Sequence, residues 1–242
     1  MTHVRNAEAF SRLVDFCTGY GGAYNPGRPT LQINALIDTK SKAADSLTKV
    51  IVAKTEYDNQ VNYRKQRFDQ LSSLAARVMR ILEASGVSRE KRADARAYVQ
   101  RINGNKPKAS PVVAAATTTE PASGVTKKAP SQKQLSYASR ADAFANLVST
   151  VSTEPLYITN EKALSTEGLK KELDALKAAN TQVSVAQVAW SNARIDRNGV
   201  LYQQDQSMYR TGLAVKKYIR AIYGPSSEQY AQVKTVVFTK PI

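Results

Sequence analysis

Residues that carry chemistry are scarce in this chain. Of 242 residues, one is cysteine, one histidine and one tryptophan. A single thiol, Cys17, excludes an intrachain disulfide framework and fits a reducing compartment. One histidine, His3, leaves no cluster of His, Cys, Asp and Glu at metal-ligand spacing. There is no phosphate-binding G-x-x-x-x-G-K-[ST] loop and no nucleophile elbow. The stretch "GYGGAYNPG" from Gly19 follows a helical pattern rather than a strand, and it lacks the lysine that would reach a phosphate. Cys17 falls on the apolar side of the first helical pattern, a packing position. No enzyme is expected, and no cofactor, metal or small-molecule substrate. The first sixteen residues have no apolar stretch of signal-peptide length, and no run approaches the ~18–20 apolar residues of a membrane span. A cytoplasmic protein is expected.

Negative charge is also in short supply. The chain has 35 Lys and Arg against 20 Asp and Glu, a formal charge of +15. Such a balance favours acidic partners, with nucleic acid, a ribosome or an acidic protein among them. With 42% apolar and 23% charged residues, the chain has the composition of a folded protein.

Composition shifts at residues 103–135, "NGNKPKASPVVAAATTTEPASGVTKKAPSQKQL", where no aromatic occurs. Pro, Ala, Thr and Lys dominate, and a disordered linker is expected there. It separates two segments, 1–102 and 136–242, that resemble each other. "AFSRLVDF" from Ala9 matches "AFANLVST" from Ala143. At an offset of 133, Leu36 matches Leu169, Val50 matches Val183 and Ala53 matches Ala186. At that offset Tyr57 falls on Trp190 and Arg64 on Arg197. The spacing predicts a duplicated unit. The expected fold is all-α: two homologous three- to four-helix bundle units, helical hairpins in tandem.

Each copy reads as helix, loop, long helix, short helix. From Thr30 to Ser85 there is no Gly or Pro, and apolar residues recur at 3–4 spacing. A second stripe runs through Leu169, Leu173, Leu176, Val183, Ala186 and Trp190, with a turn expected near 203–207. By analogy the first copy should turn near Gln70–Ser73. The alternative is one helix of roughly 80 Å, which would need a coiled-coil partner; the hairpin is preferred. Ser88 and Ser226 look like N-caps of the last helices.

The stretch "WSNARIDRNGVLYQ" invites two readings. Trp190 and Arg197, like Tyr57 and Arg64, could stack on a base and grip a phosphate. They could instead be structural, a core aromatic with an arginine that caps carbonyls or pairs with a carboxylate. The structural reading is preferred. A basic binding surface is sought elsewhere: Arg64, Lys65, Arg67, Arg77, Arg80, Arg89, Lys91, Arg92, Arg96 and Arg101, with Lys216, Lys217 and Arg220 as counterpart. The linker lysines, Lys106, Lys108, Lys127, Lys128 and Lys133, would extend it. The plain alternative is a set of solvated helix faces.

The segments "SYASRADAF", "LYITNEKAL", "NARIDRNGVLY", "AVKKYIRAIYGPSSEQYAQVK" and "VVFTKP" resemble a repeat of bacterial helical proteins of unassigned function. The resemblance covers the second half well and the first loosely. It implies a tandem helical bundle and no activity. Three functions follow as expectations. The first is a scaffold that presents two helical modules to a protein partner. The second is a basic nucleic-acid- or ribosome-associated protein. The third is a self-assembling structural protein.

Overall fold

A computed structural model describes residues 2–104 and 136–239. The expected linker from residue 105 onward, with its five lysines, lies outside the described residues. Those described form seven α-helices and no strand: α1 Thr2–Gly19, α2 Ile33–Ala84, α3 Arg89–Ile102, α4 Tyr137–Ser152, α5 Thr166–Asn198, α6 Met208–Tyr223 and α7 Glu228–Lys234. The all-α expectation holds for them.

The turn expected near Gln70–Ser73 is absent. Helix α2 continues for 52 residues through that point. Nothing in its sequence breaks a helix. The coiled-coil partner thought necessary for such a helix is replaced by two separate cores. Leu36 and Ala43 lie in one, and Phe68, Leu71, Ala75, Val78 and Leu82 in the other. The break in the second half is present. Helix α5 ends at Asn198, a π-helical turn spans Gly199–Gln203, and residues 204–207 bend before α6.

The chain condenses into two compact units, and each draws on both sequence halves. One comprises Met1–Asp58 and Val185–Ile242, the other Asn59–Ser184. The boundaries fall inside α2 and α5. In the first unit, Phe10, Leu13, Val14 and Cys17 of α1 share a core with Val215 and Ile219 of α6 and Val233 of α7. In the second, Phe144, Leu147, Val148 and Val151 of α4 share a core with Phe68 to Leu82 of α2 and Ala95 and Ile102 of α3. Each such fully buried Leu or Phe contributes about 1.5–3 kcal/mol relative to exposure. Burial also pushes the Cys17 thiol up to about 11, consistent with a packing role.

Equivalent positions in the two halves make equivalent bonds. The buried phenol of Tyr24 donates to the Leu31 carbonyl at 2.8 Å, and that of Tyr157 donates to Leu164 at 2.8 Å. Gly86 and Gly224, just beyond α2 and α6, hold φ of 72° and 92°, the left-handed region that lets a chain leave a helix. Ser88 caps α3 by accepting from the Lys91 amide. The cap of α7 is Ser227, which accepts from the Tyr230 amide, rather than Ser226. One residue's shift matters because only the N-cap places its oxygen over the free amides.

Candidate interaction surface

The sequence-predicted basic residues are divided between the two units. Arg64 to Arg101 belong to the second unit, and Lys216, Lys217 and Arg220 to the first. Several are committed within the chain. Arg67 pairs with Glu172 at 2.6 Å, Lys91 with Glu154 at 2.7 Å and Arg96 with Glu83 at 2.5 Å; Arg77 pairs with Glu161. Hydrogen bonding from Lys91 holds the Glu154 carboxyl below its usual range. The Arg64 guanidinium lies 4.2 Å from the Tyr137 ring centroid. The ammonium of Lys216 donates to the carbonyls of Val236 at 2.6 Å and Lys234 at 3.3 Å, and burial lowers its pKa. It anchors the chain after α7 and is not a free cation for a ligand. Arg220 lies over Tyr230 at 5.7 Å. Among the described residues, Lys65, Arg80, Arg89, Arg92, Arg101 and Lys217 have no carboxylate partner within 4.0 Å. Arg77–Glu161 and Arg96–Glu83 are solvent-exposed and add little stability, whereas Arg67–Glu172 is partly buried and Glu154 is only 8% exposed; each pair removes a positive charge from the local surface.

The aromatic–arginine reading is also rearranged. Arg64 lies in the second unit and Tyr57 in the first. The partner of Tyr57 is Trp190, with centroids 5.5 Å apart and rings inclined by 25°. Lys54 lies 5.3 Å from the Trp190 centroid, and Arg194 lies 5.4 Å from it on the same helix. Arg197 neither caps a carbonyl nor meets a carboxylate. It donates twice to the Asn198 side-chain oxygen, at 3.2 and 2.8 Å, and burial is the main cause of its lowered pKa. Nearby, the Tyr202 hydroxyl on the π turn accepts from Asn6 at 3.0 Å and pairs with His3 Nδ1 at 3.0 Å. His3 titrates below its ordinary value, through burial and the charge of Arg197.

What the sequence reasoning missed lies on the outer side of α2 and α5. A groove of about 350 Å³ runs between Thr48, Lys49, Val52, Ala53 and Glu56 of α2 and Ala186 and Ala189 of α5. Its walls are almost wholly apolar. Val52 in its wall is 63% exposed, and Ile51 (66%), Val185 (63%) and Val188 (59%) are exposed on the same two helices. On α5 this outer row continues through Asn192 and Ile195, at the same 3–4 spacing as the inner stripe but on a different face. The helix is thus apolar on two sides. The signal was present in "VAQVAWSNARI", hidden because the inner row alone accounted for the helix.

No family model, curated protein or solved structure matches the chain. Among the described residues no group of His, Cys, Asp and Glu could hold a metal ion, and no helix is long and apolar enough to cross a membrane.

Proposed function

We propose that this is a non-enzymatic interaction protein, a scaffold that presents helical surfaces built from two diverged copies of one unit. The observation that carries this reading is the exposed apolar groove between Val52 and Ala189. Water-facing β-branched side chains gathered on two neighbouring helices mark a surface that another macromolecule covers. Duplication is supported by the paired bonds of Tyr24 with Leu31 and Tyr157 with Leu164. It is also supported by the burial of Phe10 and Phe144, and of Leu13 and Leu147, at matching places. A cytoplasmic setting fits the single thiol.

The nucleic-acid reading ranks second. Its observation is the net charge of +15, with Arg80, Arg89, Arg92 and Arg101 in no ion pair among the described residues. It ranks lower because Arg67, Arg77, Lys91 and Arg96 spend their charge on carboxylates of the same unit.

The test compares the full chain with a Val185→Glu/Val188→Glu variant in cross-linking from cells, alongside titration with duplex DNA and structured RNA across salt. The proposal expects a specific macromolecule cross-linked to the parent and lost from the variant. Equal capture by both proteins overturns it. Nucleic-acid binding that weakens linearly in log salt, and is unchanged in the variant, moves the charge-based reading to first place.

A further inference from the structure

We infer that the face centred on Val52 is a two-fold interface, and that its occupant is a second copy of this chain. This rests on the reading that the protein acts by binding, and it names the partner of the same groove.

The groove's rim is self-complementary in charge. Lys49 and Glu56 both line it from α2 and are both exposed. They lie seven residues apart, hence about 10.5 Å along a helix that rises ~1.5 Å per residue. Val52 stands between them. A two-fold axis at Val52 sets the two α2 helices antiparallel, and each Lys49 then faces the other copy's Glu56. Two opposite charges placed at nearly equal distances on either side of an exposed apolar residue are what an isologous contact requires, since each patch must satisfy an identical one. A rim of one sign would repel its own copy. A partner of different sequence would need neither the opposite signs nor their even placement.

The steric side agrees. Ala53, Ala186 and Ala189 give the groove a low floor. Beside that floor the exposed Val52 side chain can meet Val52 of the second copy on the axis. Val185 and Val188 extend the apolar area along α5, where burial against the partner removes them from water.

The experiment is sedimentation of the full-length protein from low-micromolar to near-millimolar concentration, with helicity followed by circular dichroism. The parent mass is 26.5 kDa, and a concentration-dependent doubling is expected. Val52→Glu places two like charges on the axis and should weaken the dimer by about tenfold or more. Lys49→Glu alone and Glu56→Lys alone should each weaken it, and the charge-swapped double variant Lys49→Glu/Glu56→Lys should restore it. Recovery in the double variant separates a charge match from a folding defect. A single 26.5 kDa species throughout overturns the inference, as does a dimer that Val52→Glu leaves unchanged. A monomer that still cross-links a different macromolecule through Val185 and Val188 overturns self-pairing and leaves the interaction reading standing.

Discussion

Tyr57 and Trp190 stack on each other, 5.5 Å between centroids, although 133 residues separate them. That separation is the offset at which the two halves of the sequence align, so the two equivalent positions are each other's partner. An offset stack adds about 0.5–1.5 kcal/mol beyond the area it buries. Trp190→Ala and Tyr57→Ala should each destabilise the protein by about 1–3 kcal/mol. Their effects should be less than additive, because either change removes the same stack. Urea unfolding of the two single variants and the double variant measures the coupling, and simple additivity would show the rings to be independent.

The two sequence halves should fold together and not apart. The first unit needs α1 with α6 and α7, and the second needs α4 with α2 and α3. Polar ties cross in the same way. Arg140 donates to the carbonyls of Ile102 at 3.0 Å and Phe68 at 2.9 Å. Residues 1–104 alone should show reduced helicity and no cooperative melt. Mixed with 136–242, they should regain both. Cooperative unfolding of either half alone would contradict the shared cores.

Gly168 is held where a side chain has no room. A Cβ there would lie 2.1 Å from the carbonyl oxygen of Lys162, a backbone atom that cannot step aside. Its amide also donates to the Ser165 hydroxyl at 3.1 Å. The matching position in the first half is Ala35, so the requirement comes from the loop before α5, not from the helix. Gly168→Ala should cost about 2–4 kcal/mol, read as a lowered urea midpoint. Ala35→Gly should cost only about 1 kcal/mol, the ordinary helix penalty.

Acid should weaken the second unit through Glu154. Its folded pKa lies below the ordinary 4.5, chiefly because Lys91 bonds the ionised form. A carboxyl lowered on folding contributes stability above its unfolded value, and loses it as pH falls through the folded one. Thermal midpoints of the parent should therefore drop more steeply below pH 4.5 than those of Lys91→Ala, and the two proteins should converge in stronger acid. Parallel pH curves would remove the pair from the account.

The helices and their inner faces were legible because periodicity reports burial directly. Helical spacing puts Cys17 on the apolar side of the first helix, and it is buried together with Phe10, Leu13 and Val14. What spacing cannot report is which stripe meets which. Phe68 and Phe144 look alike from the sequence whether they pack with their own half or the other, since the apolar gain is the same. A break in α2 follows only by analogy with the turn near 203–207, but the first half has no glycine or proline from Thr30 to Ser85, and the helix runs through. Counting charge along the chain has a related limit. Arg67 and Glu172 are 105 residues apart, and a charge count along the chain cannot see such a pairing.

Asn6 carries a last consequence. Its side chain donates to the Thr239 carbonyl at 2.6 Å and accepts from the Thr239 amide at 3.0 Å. The two extremities of the described chain are thereby bonded side by side. A short loop could join them. A circular permutant that begins at residue 136 and ends at residue 104 would then keep the core contacts of the described residues, with the halves in reversed order.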